Sequence, residues 1–303
     1  MPQKYRFLPI PASLRRFLLF QSHLLGMLRW QFCRLTYLCI INEEGTAMAL
    51  SNIERHYNKH PEDLRLQRRH GMVEFETTMH HLHRFLKPGM QVLDIGAGTG
   101  RYASALTAEG YSVKAVELVK RNIDVFLKRE PMADVVQGDA RNMSFIADAT
   151  ADITLLLGPL YHLIGDEQKL MALNEAKRVT KPGGLIFVAY LMNEYSILSY
   201  CFDEERIADL MARGVVDNNY HIRAQEDELY DYVRMEDVSR LNTMAGLRRV
   251  TVFSPDGAAD YMRTRLNRMS EKTFRHFIEY QKTISERPDL IGAGSHIVDV
   301  VSG

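Results

Sequence analysis

The 303-residue sequence has no excess of charge of either sign, with 38 lysines and arginines set against 38 aspartates and glutamates. A chain whose main partner is a phosphate backbone usually carries a basic excess, so nucleic acid is not an expected partner. Cysteine is scarce too. Cys33, Cys39 and Cys201 cannot build a disulfide framework, which points to a reducing, cytoplasmic setting. Long apolar runs are missing from the N-terminal segment, whose longest uncharged stretch, Phe17 to Leu28, has 12 residues. A spanning helix needs ~20, so no stable membrane span is expected. There is no internal repeat and no low-complexity tract. With 46% hydrophobic and 25% charged residues, the composition excludes disorder and leaves an ordinary globular core.

The neutral total conceals a split. Residues 1–42 hold Lys4, Arg6, Arg15, Arg16, Arg29 and Arg34 and no acid, which leaves 43–303 net acidic. Residues 1–47 thus stand apart as a basic, hydrophobic segment, and two readings of it remain open. One is an amphipathic helix resting on a membrane surface, since Phe17, Leu18, Leu24, Leu25 and Leu28 fall near helical spacing. The other is a stretch upstream of the true start. Asn42 to Met48 can be encoded with a GAGGAGG ribosome-binding sequence ahead of an ATG, if the source is bacterial. A secretory leader is disfavoured, because no small-residue cleavage site follows the apolar stretch. The working domain is expected over 48–303.

From Ser51 the pattern alternates helix and strand. Asp63 to Leu86 reads as a helix stopped by Lys87-Pro88-Gly89. Strands follow at Gln91–Ile95, Ser112–Val116, Ala133–Gln137, Ile153–Leu157 and Leu185–Tyr190, with helical sequence between most of them and a turn at Lys181-Pro182-Gly183-Gly184. Strands that are mostly apolar and separated by helices mean a parallel sheet covered on both faces. Two further strands, Leu247–Phe253 and Ser295–Val301, are each preceded by a long helical connection. The fold expected is α/β: a Rossmann-like, doubly wound, seven-stranded, mostly parallel sheet. Helical lid insertions are expected after strands 5 and 6, the first forming a cap over 191–245.

Chemistry-bearing residues begin at Asp94-Ile95-Gly96-Ala97-Gly98-Thr99-Gly100, between a strand and a helix. Glycines there allow a tight turn and close ligand approach, and the helix that follows offers unpaired N–H groups. Alone the run is a weak signal, compatible with a plain βα turn or a dinucleotide fold. Three acids move the balance. Asp94 sits where nicotinamide-binding folds usually carry an apolar residue. Glu117 ends the second strand, placed to accept from vicinal ribose hydroxyls. Asp139, in Gly138-Asp139-Ala140, follows the third strand and can accept from an exocyclic amino group. All lie at successive strand ends, the edge where open α/β sheets bind ligands.

On these residues the sequence resembles the class I S-adenosylmethionine (SAM)-dependent methyltransferases, in their small-molecule, ubiquinone- and menaquinone-biosynthesis-like branch. The resemblance runs in motifs from about Tyr57 to Tyr190 and more loosely to Val301. It implies that Gly96, Ala97, Gly98 and Gly100, with Asp94, lie along the methionine part of SAM. It also implies that Glu117 and Leu118 hold the ribose and that Asp139 and Ala140 border the adenine. Gly158-Pro159-Leu160-Tyr161-His162 resembles the segment lining the methyl-transfer centre, and Tyr57 and Arg65 resemble positions that close over the cofactor. No Asn/Asp-Pro-Pro-Tyr/Phe follows the fourth strand, no Pro-Cys nucleophile is present, and no paired-glutamate hairpin is found. What remains is a small-molecule acceptor.

Such an enzyme must hold the acceptor in line with the S–CH₃ bond, and an oxygen or acidic-carbon acceptor must also lose a proton. Tyr161 and His162 are the catalytic candidates, with His162 either a base or a cap on its loop. His80, His81 and His83 match no metal-ligand spacing and are expected at an exposed helix end. Cys201 is expected as a small buried hydrophobe. Tyr195, Tyr200, Phe202, Tyr220, Tyr230 and Tyr232 accompany Glu226, Asp227, Glu228 and Asp231. That stretch reads as an amphipathic helix with a wet face, or as a lid for a cationic acceptor. A non-catalytic SAM- or nucleotide-binding sensor or interaction module is the alternative to an enzyme.

Overall fold

The computed structural model describes residues 53, 55–57, 68–226 and 228–303. The basic segment 1–47, its two cysteines and Arg65 lie outside the described residues. Among the described residues no helix is long and apolar enough to cross a membrane.

Seven strands form one sheet: β1 (Gln91–Ile95), β2 (Ser112–Glu117), β3 (Asp134–Gln137), β4 (Ala151–Leu156), β5 (Thr180–Leu191), β6 (Arg248–Phe253) and β7 (His296–Ser302). Their order is β3-β2-β1-β4-β5-β7-β6. Pairing is parallel from β3 to β5, and β7 runs antiparallel between β5 and β6. The expected seven-stranded, mostly parallel architecture is the one observed. The helices are α1 (Arg69–His83), α2 (Arg101–Ala108), α3 (Lys120–Arg129), α4 (Asp166–Val179), α5 (Asn193–Ser196), α6 (Ile207–Ala212), α7 (Met235–Ala245), α8 (Arg263–Leu266) and α9 (Glu271–Ile284). A 3₁₀ turn (Pro159–His162) follows β4, and one π-helical stretch (Ile197–Phe202) follows α5.

Strand side chains alternate between faces, so each apolar strand supplies two cores. Leu93, Ile95, Ile186, Val188 and Val301 pack with Ala172, Leu173 and Ala176 of α4 and with Val238, Leu241 and Ala245 of α7. The opposite parity, Val92, Ile153, Leu155, Phe187, Ala189 and Val300, packs with Met79 and Leu82 of α1 and Leu106 of α2. Burying one such aliphatic side chain contributes about 1.5–3 kcal/mol, so the two faces supply most of the driving force.

The sequence expectations meet three differences here. The turn Lys181–Gly184 lies inside β5 as a bulge, because Ala151 pairs with Thr180 while Ile153 pairs with Leu185. Gly183, at φ 78°, takes the left-handed conformation that lets the strand resume. The stretch expected as a cap, 191–245, divides. Ile197, Cys201, Leu210, Val216 and Ile222 form a small core of their own, whereas α7 belongs to the layer covering the sheet. Cys201 is buried, as expected. His81 departs from the exposed helix end. It is 1% exposed, stacks on Phe253 with centroids 3.8 Å apart, and bonds Ser285 Oγ at 2.8 Å. His80 is exposed, and the exposed His83 pairs with Glu109.

Candidate active site

The carboxyl ends of β1, β2, β3 and β4 lie side by side, which brings the glycine loop and its three acids to one edge. Gly96 N–H donates to Val116 O at 2.7 Å, tying the loop after β1 to the end of β2. Gly96 has φ 74°, and a Cβ there would lie 2.6 Å from Pro159 Cδ. Only glycine lets the β1 and β4 loops approach so closely. A Cβ on Gly158 would lie 3.4 Å from Gly96 O and 3.7 Å from Tyr161 Oη, so the two glycines and the Tyr161 hydroxyl share one corner. Gly98, by contrast, faces open space.

Asp94 is 2% exposed, and its Oδ2 has no hydrogen-bond partner. Burial, reinforced by the negative charge of Glu117, pushes its pKa up to about 7, against a backbone hydrogen bond at Ala103. A buried acceptor oxygen left without a donor is costly in a bare fold and suits a cationic or N–H-bearing ligand group. Glu117 is also buried, and its carboxylate accepts from Gly98 N–H and Val119 N–H, each at 2.8 Å, and from Asn122 Nδ2 at 3.2 Å. These bonds fix the acid against the glycine loop before any ligand arrives. Leu118 is half-buried beside it, its carbonyl accepting from Gln137 Nε2.

Asp139 reaches the same edge but is already engaged. Arg141 grips both of its oxygens, with Nε at 3.0 and 3.1 Å and Nη2 at 2.5 Å. Burial works to raise the Asp139 pKa, yet the hydrogen bonds and charge of Arg141 outweigh it and hold the carboxyl below the usual range. Ala140 beside it is buried. Ala97 is half-buried and, like Gly96, donates to Val116 O.

An aromatic cluster stands over the β4 loop. Tyr57 Oη and His162 Nε2 are 2.8 Å apart, and His162 Nδ1 lies 2.9 Å from the Leu229 carbonyl. A carbonyl only accepts, so Nδ1 carries the proton and Nε2 accepts from the Tyr57 hydroxyl. Burial lowers the His162 pKa to about 4, leaving a neutral ring with both nitrogens occupied. Tyr230 lies 5.2 Å from His162 and 6.2 Å from Tyr161, centroid to centroid. The segment around Tyr230 is fastened to the same loop. Asp231 N–H donates to Tyr161 O at 2.8 Å, and the Asp231 carboxylate accepts from Gly165 N–H and from the buried Lys169. Asp231 is therefore an anchor for the loop, engaged by a lysine of its own chain.

The aromatic residues of that stretch separate in the same way. Tyr195 is buried, whereas Tyr200, Phe202 and Tyr220 are exposed. Two residues that sequence reasoning passed over complete the edge. His296 opens β7 directly opposite Leu191, the last residue of β5. Its ring centroid is 6.0 Å from that of Tyr161, and its Nδ1 is 2.6 Å from Asp256 Oδ2. The two lie 40 residues apart in sequence, and no local motif joins them.

Residues 93–188 match a family model described as a methyltransferase domain. The demethylmenaquinone methyltransferase of Paenarthrobacter aurescens is 35% identical over 104 residues, covering 34% of this chain and 40% of that protein. The malonyl-[acyl-carrier protein] O-methyltransferase of Erwinia pyrifoliae is 31% identical over 156 residues, 50% of this chain and 53% of that one. The chain thus spans about half or less of the length of these curated relatives. Among solved structures, a SAM-dependent methyltransferase of Thermotoga maritima superposes with a TM-score of 0.53 at 20% identity, covering 84% of this chain and 99% of that one. That likeness is one of fold.

Proposed function

From the premise that the chain carries a class I SAM-dependent methyltransferase domain, we propose that it moves a methyl group from SAM to a small-molecule acceptor by in-line displacement. The observation that carries the reading is the trio of acids at three adjacent strand tips, above all Asp94 with its unpartnered buried oxygen. SAM fits these residues. Its ammonium would supply the donor that Asp94 Oδ2 lacks, and Glu117, braced by Gly98, Val119 and Asn122, presents its carboxylate at the strand end where the ribose hydroxyls would lie. Ala140 and Asp139 border the place for the base. There Arg141 leaves Asp139 as a shaped wall with little accepting capacity to spare. The open space at Gly98 admits close approach of the nucleoside to the main chain.

When bound, SAM supplies an activated methyl on a sulfonium, so no covalent enzyme intermediate is needed. The chain's own work is to bind, orient and exclude water. The Gly96–Gly158 contact fixes the floor, and Tyr161 extends from it toward the acceptor side. His162 joins Tyr57 to the carbonyl of Leu229, so it acts here as a clasp between the N-terminal approach and the segment over the β4 loop. Positioning of this kind supplies several kcal/mol of barrier lowering. Tyr57 would close over the nucleoside, as the resemblance implies.

The names of the curated relatives include both a quinone precursor and an acyl-carrier conjugate as acceptors, and both are consistent with a small-molecule or small-conjugate acceptor here. Calorimetric titration with SAM and with its demethylated product, S-adenosylhomocysteine, tests the reading. Saturable heat with both, and none with a nicotinamide dinucleotide, is expected. Uptake of the dinucleotide without the sulfur nucleosides overturns it.

A further inference from the structure

We propose that His296, oriented by Asp256, is the residue that takes the proton from the methyl acceptor, and that the acceptor reacts through a hydroxyl group. The proposal rests on the methyl-transfer reading above. Its basis is a second constellation on the acceptor side of Tyr161. Asp256 is 2% exposed, lies just beyond β6, and meets His296 Nδ1 at 2.6 Å while also accepting from the His296 backbone N–H at 3.3 Å. A carboxylate on Nδ1 fixes the tautomer and turns Nε2 outward as the free nitrogen. Nε2 has no hydrogen-bond partner among the described residues, and the His296 side chain is 12% exposed, so the nitrogen is sheltered yet reachable.

The Tyr161 hydroxyl stands at the Gly96–Gly158 corner, and the Tyr161 ring lies 6.0 Å from His296. One aromatic ring therefore separates the glycine loop from the imidazole. His162, the other histidine near Tyr161, has both nitrogens occupied and a lowered pKa, so it is poorly suited to take a proton.

The charged groups around His296 favour a strong base. Burial lowers its pKa, but the hydrogen bond and charge of Asp256, with Glu74 and Asp260, prevail and raise it to about 9, so the ring is a strong base in its neutral form, which the enzyme holds in quantity only toward that pH. Burial raises that of Asp256, with His296 opposing. Asp260 is itself neutralised by Arg263, whose Nε lies 3.0 Å from its Oδ1. Asp256, Asp260 and His296 offer oxygen and nitrogen atoms within 4.8 Å of one another. Arg263 already balances Asp260, and Asp256 accepts from the His296 Nδ1–H, so the cluster forms a proton-handling dyad.

In the step, an electron pair on the acceptor oxygen forms the bond to the methyl carbon as the S–C bond breaks, its pair staying on sulfur. The hydroxyl proton passes to His296 Nε2 and later to water. Nothing is oxidised or reduced. A carboxylate acceptor would arrive without a proton and leave this base idle, so the dyad suits an acceptor that brings a proton, and the phenol probe below tests the hydroxyl.

The test uses phenol, whose phenolate absorbs at longer wavelength than the neutral form, added to full-length protein saturated with S-adenosylhomocysteine at about pH 9, where the His296 ring is partly neutral and the probe lies below its own pKa of about 10. A saturable phenolate band is expected with the native protein, reduced at least about tenfold by His296→Gln and weakened by Asp256→Asn. No saturable band in the native protein, or an equal band in His296→Gln, overturns the proposal. Calorimetry on the same samples separates the two readings. Absent nucleoside heat in the native protein sinks the methyl-transfer reading, while nucleoside heat without the band sinks the dyad alone. If His296→Gln binds no nucleoside, Asp256→Asn decides by the same comparison.

Discussion

Asp94→Asn is expected to make the ligand-free protein more stable while weakening its hold on the sulfur nucleoside. The Asp94 carboxyl is buried, lacks a partner at Oδ2, and has a pKa raised from 3.8 to about 7 by burial and by Glu117. A folded-state pKa above the unfolded one means that the folded state binds the proton more tightly. The associated stability is fully present below about pH 4 and is lost as the pH rises through 7. The rise corresponds to a cost of about 4 kcal/mol for holding the ionised acid at pH 8. Asparagine removes that cost but buries an amide donor in its place, worth about 1–3 kcal/mol. The net expectation is about 2 kcal/mol of added stability at pH 8, or about 5 °C in Tm for a domain of this size.

The opposite holds for the ligand. Nucleoside affinity should fall in Asp94→Asn, and in the native protein it should fall as the pH drops below 7 and the carboxyl gains its proton. Urea unfolding at pH 5 and pH 8, with calorimetric titration of S-adenosylhomocysteine at both, reads the two effects together. A variant no more stable than the native protein at pH 8, or one with undiminished affinity, refutes the reasoning.

Other perturbations probe other links. Gly100→Ala places a Cβ 2.3 Å from the buried Phe126 ring in a residue held at φ 80°, and it should cost about 2–5 kcal/mol in urea unfolding. Arg249→Ala strips the fully buried Asp299 of bonds at 2.6 and 3.0 Å, leaving it only Asn242 and its strand neighbours. A loss of about 3 kcal/mol is expected by the same assay, since a buried carboxylate is left without its cation. Tyr57→Phe and His162→Ala break one shared bond. Their effects on nucleoside affinity should therefore be non-additive in a double-mutant cycle, with coupling of about 1 kcal/mol.

How far the sequence could be read depended on whether each interaction is local. Strands β1 and β4 were legible because both of their faces are buried, which writes a mostly apolar run into the chain. Asp94 and Glu117 were legible because each sits at a fixed offset from a strand end, and the sheet order brings those ends together without further information. The start of β5 was not, since Pro182 and two glycines spell a turn and only pairing with β4 makes them a bulge. His81 was misjudged for a related reason. Its polar neighbours suggest a wet helix end, but the partners that bury it, Phe253 and Ser285, come from far along the chain.

The same distance hid the His296–Asp256 pair. A histidine opening a strand and an aspartate past the end of another carry no joint signal in sequence. They meet because β6 and β7 are antiparallel neighbours, so the end of one and the start of the other share the edge where the parallel strands also finish. The antiparallel seventh strand thus has a chemical consequence. It returns a side chain from the C-terminal part of the chain to the tip of β5, beside the loop after β4, where a fully parallel sheet would place a strand's far end. The proposed acceptor-side base of this chain accordingly stands at the first residue of β7 and outside the glycine-rich motifs.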